Sequence, residues 1–311
     1  MKKRYLHTSL FGMLLAIAGC ASDNSNHQTD TNDITELRTD LWNYVNNTSG
    51  TVGIAIVSDN DTLTINNGAK YGMMSVFKLH QALAVCNAIE NSGVSVDSIL
   101  NISEKELDED TWSPMLKDYG KRDLSISIRD LVKYAVSSSD NNASNILYDR
   151  IVSTEETEKF IKSIAADTTF AIKHTEGEMR LDHDLYYNNY TSPLSAALLI
   201  RQVFTSELIS QQNQKIIKDA LLTVTTGQDR LGAITSKDNG IIFGHKTGSG
   251  ARNKCGELTV FNDVAYVKLP NGIDYSLAGL LRDFSGSYKE AGKVMSEIST
   301  MVYSYFNRQA K

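Results

Sequence analysis

The chain has 311 residues, of which 41% are hydrophobic and 22% are charged, a composition typical of a globular protein with ample material for a core. Its formal net charge of −6 disfavours nucleic acid as a partner. The sequence contains three prolines and no visible internal repeat, so we expect no long disordered linker.

Residues 1–20 have the pattern of an export signal. A basic start at 2–4 precedes an apolar run, 10–19, that is too short to span a bilayer as a permanent helix. The run ends in Ile-Ala-Gly followed by Cys20, which resembles the bacterial lipobox, whose cysteine is lipidated and becomes the new N-terminus. Ordinary signal cleavage one or two residues from Cys20 is the alternative.

Residues 21–33 are polar and lack apolar periodicity, so we expect them to form a flexible tether. The protein is then exported and held on the periplasmic side of a bacterial membrane by a lipid on Cys20; a soluble periplasmic protein is the alternative. In that compartment Cys86 and Cys255 could pair, but the sequence does not show that they meet, and we expect buried free thiols.

Strand patterns lie at both ends of the mature chain, and helical patterns fill its middle. The sequence predicts a helix at 35–45, a strand hairpin at 50–66 and an apolar helix at 74–91. Helical patterns continue to about residue 225, and a terminal helix follows Gly286. Between them, strand patterns return at 240–248, 256–262, 264–270 and 274–284.

These patterns predict an α/β fold within 34–311. One antiparallel sheet of about five strands, two from the start and three from the end, carries terminal helices and an inserted all-helical lobe. A Pro-Asn-Gly turn at 270–272 predicts a hairpin between the last two strands. We assign 34–68 and 226–311 to the α/β lobe and 69–225 to the helical lobe. An interface between two such lobes favours a small-molecule site.

Ser75 and Lys78 stand one helical turn apart in an otherwise apolar helix. Both side chains are costly to bury unless a partner satisfies them, so the pair either has a structural capping role or forms an activated nucleophile. A plain N-cap is the structural alternative for Ser75, because a serine at a helix start lies near free backbone N–H groups.

Two more polar segments occur along the chain. Ser-Asp-Asn at 139–141 lies between two helical stretches, where a simple helix break with an N-cap is the alternative. Lys-Thr-Gly at 246–248 ends an apolar strand. A lysine, a hydroxyl and a glycine there would let the backbone approach a carboxylate-bearing ligand; a solvated strand end is the alternative.

Together and in this order, the three segments resemble the signature motifs of the penicillin-recognising serine enzymes. The resemblance covers nearly all of the mature chain. Class A β-lactamases in this group carry a glutamate between the second and third motifs, which activates a second water, and Glu176 in the polar loop 173–193 matches it. The chain is thus similar to a class A serine β-lactamase of the divergent, cephalosporinase-leaning branch.

The loop around Glu176 departs from the common class A pattern. His174 stands where an arginine commonly pairs with a later aspartate, and Arg180 replaces the asparagine that commonly positions the water. Glu178 is a second carboxylate in the same loop. We choose Glu176 because a methionine, Met179, follows it three residues later, as in the divergent branch.

The resemblance implies a role for each catalytic residue. Ser75 attacks the β-lactam carbonyl, Lys78 takes or relays its proton, and Glu176 activates the deacylating water. Whether Lys78 or Glu176 is the base for acylation stays open. Ser139 passes a proton to the leaving nitrogen, and Asn141 holds the substrate amide and Lys78.

The resemblance also implies how substrate is bound. Backbone N–H groups of Ser75 and Ser249 form an oxyanion hole. The arginine that commonly follows the third motif is absent, and Arg230 is the substitute for binding the substrate carboxylate, with Arg252 as a second candidate. Trp112 resembles a rim aromatic, for which a core tryptophan is the alternative. The other substrate-binding residues implied are Lys246, Thr247, Gly248 and Ser249.

The expected protein is a monomer that acts on a small-molecule β-lactam without a metal or organic cofactor, and it meets a membrane only through the lipid on Cys20. The histidines and aspartates of 174–184 lack a metal-site spacing and are expected to be a solvated loop. Two alternatives stay open. One is a DD-peptidase or transpeptidase acting on peptidoglycan, against which a working Glu176 argues. The other is a β-lactam sensor that is acylated and not hydrolysed.

Overall fold

The computed structural model describes residues 34–309. The expected signal, Cys20 and the whole tether, 21–33, lie outside these residues. Within them, no helix is both long and apolar enough to cross a membrane. The helices are α1 (Ile34–Asn46), α2 (Phe77–Asn91), α3 (Pro114–Tyr119), α4 (Ile128–Ser137), α5 (Asn141–Arg150), α6 (Thr154–Ile164), α7 (Glu176–Leu181), α8 (Pro193–Thr205), α9 (Gln211–Leu222) and α10 (Tyr288–Arg308).

The strands are mostly short outside one large sheet. They are β1 (Thr51–Ser58), β2 (Thr62–Ile65), β3 (Tyr71–Gly72), β4 (Ile99–Ile102), β5 (Leu124–Ser127), β6 (Phe170–Ala171), β7 (Tyr190–Thr191), β8 (Ile242–Ser249), β9 (Leu258–Lys268) and β10 (Asp274–Phe284). Four 3-10 turns lie at Met74–Val76, Glu104–Glu106, His183–Tyr187 and Leu231–Ser236.

The large sheet has five antiparallel strands in the order β2-β1-β10-β9-β8. Two come from the start of the mature chain and three from its end, which confirms the predicted α/β fold and its sheet. The expectation that 69–225 is all-helical is wrong, because the short strands β3–β7 lie there and pair into a three-stranded and a two-stranded sheet. The two strand patterns at 256–262 and 264–270 fall almost entirely within the single strand β9. The turn at 270–272 joins β9 to β10, and Gly272 has a φ of +91°, which suits a residue without a Cβ.

Each face of the sheet packs on helices because its strands alternate apolar side chains between two cores. From β1, Val52, Ile54 and Ile56 join the core shared with α1, α10 and the 3-10 turn at 231–236. Ala55 and Val57 join the other core, in which α8 packs on β1, β9 and β10. The lobe boundaries at 68 and 226 stay a prediction.

The two cysteines within residues 34–309, Cys86 and Cys255, are both free thiols. Cys86 is buried in α2, as expected. The expectation of burial is wrong for Cys255, which is exposed, because it lies in the turn between β8 and β9, where its N–H donates to Asn253 Oδ1 at 2.9 Å.

The fully buried side chain of Asn189 fixes the loop that leads to α7. Its Oδ1 accepts the N–H groups of Lys173 at 2.7 Å and His174 at 2.9 Å, and its Nδ2 donates to the His174 carbonyl at 2.7 Å. Its own carbonyl accepts the Met73 N–H at 2.7 Å, two residues before Ser75. Asn189 thus connects the segment before Glu176, through its side chain, to the segment before Ser75, through its backbone carbonyl.

We predict that Asn189→Ala lowers the free energy of unfolding by about 2–4 kcal/mol, because it leaves two part-buried N–H groups and a carbonyl without partners. We expect the rate of amide hydrogen exchange at Lys173 and His174 to rise in the same variant. The matched control is Asn188→Ala, at the exposed neighbouring residue, which we expect to change stability by less than about 0.5 kcal/mol. Equal effects of the two substitutions in thermal or denaturant unfolding would contradict this account of the loop.

Candidate active site

The three polar segments meet at one cavity of about 380 Å³. The predicted site residues that line it are Ser75, Trp112, Ser139, Asn141, Glu176, Arg230, Thr247 and Ser249. The side chains of Lys78 and Lys246 are fully buried and contact this lining. The structure thus brings together segments that are more than 60 residues apart along the chain.

Ser75 lies in the 3-10 turn Met74–Val76, directly before α2, and its side chain makes no cap. Its Oγ donates to Glu176 Oε1 at 2.7 Å. The same carboxylate oxygen lies 3.1 Å from Lys78 Nζ. The plain N-cap alternative is therefore wrong. A hydroxyl and an ammonium share one oxygen of Glu176, a residue that is only 5% exposed.

The Lys78 ammonium has a polar partner for each of its three N–H donors. It donates to the Ser139 carbonyl at 2.8 Å and to Asn141 Oδ1 at 2.5 Å, and Glu176 is its third partner. Complete burial lowers the pKa of Lys78, and the charge of Glu176 opposes that shift.

The Ser-Asp-Asn segment is both a helix break with an N-cap and a part of the site. Asp140 is the N-cap of α5, since its Oδ1 accepts the Ala143 N–H at 2.8 Å. Its Oδ2 accepts from Ser113 Oγ at 2.8 Å and Met115 N at 2.7 Å. Ser139 has a φ of +56°, an uncommon conformation for a residue with a Cβ, and this strained backbone accompanies the contact of its Oγ with Lys246.

Trp112 lies at the rim, with 51% of its surface exposed, so the core alternative is wrong. Its indole N–H donates to the Ser138 carbonyl at 2.9 Å, and its own carbonyl accepts the Asn141 N–H at 3.0 Å. The Asn141 Nδ2 donates to Thr111 Oγ1 at 2.9 Å. These bonds hold the loop 111–112 against the start of α5.

Lys246 extends from β8 into the floor of the cavity. Its Nζ donates to Ser139 Oγ at 2.9 Å and to the Thr247 carbonyl at 3.1 Å. Burial, and next the nearby charge of Lys78, hold the pKa of Lys246 well below its usual range. Gly248 follows, and a Cβ there would collide with the Met73 carbonyl, so glycine lets β8 pack against the segment that carries Ser75.

Of the two candidate arginines, Arg230 lies at the cavity. It donates to the carbonyls of Gly248 at 3.2 Å and Asn262 at 2.6 Å, and to Ser249 Oγ at 2.6 Å. Its guanidinium stacks 3.7 Å from the centre of the Phe261 ring, and its Nε has no hydrogen-bond partner among the described residues. Burial lowers its pKa from a very high normal value.

Arg252 does not reach this site. Its guanidinium donates to the carbonyls of Gly256 and Gly286 in an exposed region. It is absent from the cavity lining, so the structure places only Arg230 beside Ser249.

The two glutamates of the loop have different environments. Glu178 is the exposed N3 residue of the α7 capping box; it accepts the Thr175 N–H at 2.8 Å, and Thr175 Oγ1 accepts the Glu178 N–H at 3.2 Å. Glu176 is buried against Ser75 and Lys78. His174 lies 3.9 Å from Glu178 and 3.2 Å from Asn188. In residues 34–309 we find no group of three or more side chains that could hold a metal ion.

Sequence reasoning missed several residues of this site. Thr226 Oγ1 lies 2.7 Å from Thr247 Oγ1, and its place four residues before Arg230 was the available signal. Tyr186 also lines the cavity, and burial followed by the charge of Glu176 raises its pKa, which keeps the phenol neutral. Nothing in the sequence marked Asn189 as part of this arrangement, because its hydrogen-bond partners are backbone groups, which any residue type provides.

Comparison with known proteins agrees with this geometry. The model of the family described as "Beta-lactamase enzyme family" matches residues 36–306. The chain is 44% identical over 285 residues to a protein from Phocaeicola vulgatus named Beta-lactamase, covering 89% of each chain.

Two solved structures share the fold. The TLA-3 extended-spectrum β-lactamase superposes with a TM-score of 0.84 at 29% identity, covering 88% of this chain and 99% of that one. A class A β-lactamase from Bacteroides cellulosilyticus superposes with a TM-score of 0.83 at 26% identity, covering 88% and 98%. The family match across nearly the whole described chain shows that this protein belongs to the β-lactamase enzyme family and is a serine hydrolase with class A relatives.

Proposed function

We propose that this β-lactamase opens the β-lactam ring through an ester on Ser75 and then hydrolyses that ester. The observation that carries the proposal is the contact of one Glu176 oxygen with both Ser75 Oγ, at 2.7 Å, and Lys78 Nζ, at 3.1 Å. A hydroxyl next to a buried carboxylate has a group that can take its proton.

In the acylation step, Ser75 Oγ attacks the lactam carbonyl carbon and its proton passes to Glu176. The fully hydrogen-bonded ammonium of Lys78 has no lone pair to accept a proton, which favours Glu176 as the base. The backbone N–H groups of Ser75 and Ser249 stabilise the oxyanion. The C–N bond then breaks, and Ser139, which accepts a hydrogen bond from Lys246, gives the leaving nitrogen its proton. The proton that Glu176 took from Ser75 passes to Ser139, so the Ser139 hydroxyl and the Glu176 carboxylate are both restored before deacylation.

In the deacylation step, Glu176 takes a proton from water, and the water oxygen attacks the ester carbonyl. The bond to Ser75 Oγ then breaks, and Ser75 takes that proton back from Glu176. The substrate carboxylate lies against Thr247, Ser249 and the Arg230 guanidinium, and the buried Lys246 ammonium adds positive charge from beneath. The substrate amide lies against Asn141.

We propose cephalosporins as preferred substrates over penicillins. Supporting this are the loop changes at His174 and Arg180 and the similarity to the TLA-3 enzyme, whose name describes an extended spectrum. We further propose a mature protein on the periplasmic side of a bacterial membrane, anchored through Cys20, on the strength of the lipobox-like sequence alone.

We predict that Glu176→Gln accumulates a long-lived acyl-enzyme with a good cephalosporin, seen as a persistent shift in intact mass. An amide can take a proton neither from Ser75 nor from water, so both steps lose their base. Ring strain still drives the attack of Ser75 on the lactam, whereas the ester has no such strain, so deacylation, slowed by about 10²-fold or more, becomes the slower step and the acyl-enzyme accumulates. Glu178→Gln is the matched control: its carboxylate only caps α7, and we expect turnover near the normal rate.

Ser75→Ala completes this experiment, since it should abolish both hydrolysis and covalent labelling while the protein stays folded. If Ser75→Ala is still labelled covalently by a β-lactam, the assignment of Ser75 as the nucleophile is wrong. Reversed phenotypes for the two glutamine variants would overturn the assignment of Glu176.

We predict that Cys20→Ala moves the protein from the membrane fraction to the soluble periplasmic fraction, or stalls its processing, because the lipid attachment site is lost. Fractionation followed by immunoblotting measures this. Unchanged membrane association would show that any anchor lies elsewhere.

A further inference from the structure

A second guanidinium, that of Arg180, lines the cavity on the α5 side, away from Arg230. Its Nη2 forms an ion pair with Asp108 Oδ2 at 2.7 Å. Asp108 is the only polar partner that the described residues give Arg180. Both side chains are partly exposed, 38% for Arg180 and 30% for Asp108. Arg180 lines the cavity and can contact a ligand bound there, whereas Asp108 lies behind it, outside the lining.

Asp108 is held rigidly, whereas Arg180 is held only by Asp108. The buried side chain of Asn142 accepts the Asp108 N–H at 2.9 Å and donates to the Asp108 carbonyl at 2.9 Å. Asp108 Oδ1 also accepts the Asp110 N–H at 2.9 Å. Asn142 follows Asn141, the residue assigned to the substrate amide, so the pair lies beside the amide end of the cavity.

A partly exposed ion pair contributes little net stability, so a competing anion can exchange for Asp108 at small cost. Guanidinium binds carboxylates through paired N–H groups, and most of the Arg180 donors are not engaged by the protein. Of the residues that line this cavity, only Glu176 carries a negative charge, and it is engaged with Ser75 and Lys78.

We propose that Arg180 and Asp108 form a charge-selective site for the acyl side chain of the substrate. Arg180 binds a carboxylate on that side chain, and Asp108 competes with it. The proposal rests on the proposed function, because a substrate with its ring carboxylate at Arg230 and its amide at Asn141 extends its acyl side chain toward Arg180.

The test uses benzylpenicillin and carbenicillin, which share a nucleus and differ by one carboxylate on the acyl side chain. We measure the ratio of kcat/KM for carbenicillin to that for benzylpenicillin. We expect Arg180→Gln to lower this ratio by about 5-fold or more and Asp108→Asn to raise it by about 3-fold or more, as loss of one attractive or one repulsive charge contact predicts. Arg180→Lys should keep most of the wild-type ratio.

The matched control is Arg129→Gln, which removes an exposed ion pair with Asp97 that does not line the cavity, and which should leave the ratio unchanged. Shifts of Arg180→Gln and Asp108→Asn in the same direction, or no shift, would overturn the proposal and leave the pair as a loop contact. The rate of covalent labelling gives the same ratio if turnover is absent. Wild-type protein that neither hydrolyses nor is labelled would instead overturn the proposed function, and this proposal with it.

Discussion

Burial of the Lys78 ammonium is the constraint on which the rest of the active site depends. A charged group without solvent must have partners, and here α5 supplies Asn141, the turn before it supplies the Ser139 carbonyl, and α7 supplies Glu176. Removing one partner from such a buried charge typically costs about 3–5 kcal/mol. The contacts that stabilise the buried charge of Lys78 therefore also fix the groups around the Ser75 hydroxyl.

The sheet contributes the other half of this arrangement. Lys246 on β8 donates a hydrogen bond to Ser139 Oγ, while Lys78 donates to the Ser139 carbonyl. Ser139 therefore contacts both lysine ammonium groups. Asn262 on β9 donates to the Gly72 carbonyl at 2.7 Å, and Asn189 accepts the Met73 N–H, which hold the chain just before Ser75. The buried Asn262 amide, the Asn189 backbone carbonyl and two buried ammonium groups thus place the nucleophile from both sides.

The sequence predicted the parts of the site whose chemistry is unusual for their location. A serine and a lysine in an apolar helix, and a lysine at the end of an apolar strand, are visible because burial of such groups needs a reason. Alternating strands and the turn at 270–272 likewise predicted the sheet. Asn189 could not be found this way, since an asparagine in a polar loop is unremarkable until its partners are known. Thr226 was marked only by its place four residues before Arg230. The exposure of Cys255 depended on the length of the β8–β9 turn, which the pattern did not resolve.

The time course of intact mass after mixing the unmodified enzyme with a penicillin or a cephalosporin tests the central claim most directly. If Glu176 is the base for hydrolysis of the ester on Ser75, a covalent adduct forms and then disappears as free enzyme and hydrolysed product are released. A permanent adduct would contradict this account and indicate a β-lactam sensor or a peptidoglycan-processing enzyme. Hydrolysis with no adduct at Ser75 under rapid quenching would contradict the acyl-enzyme itself.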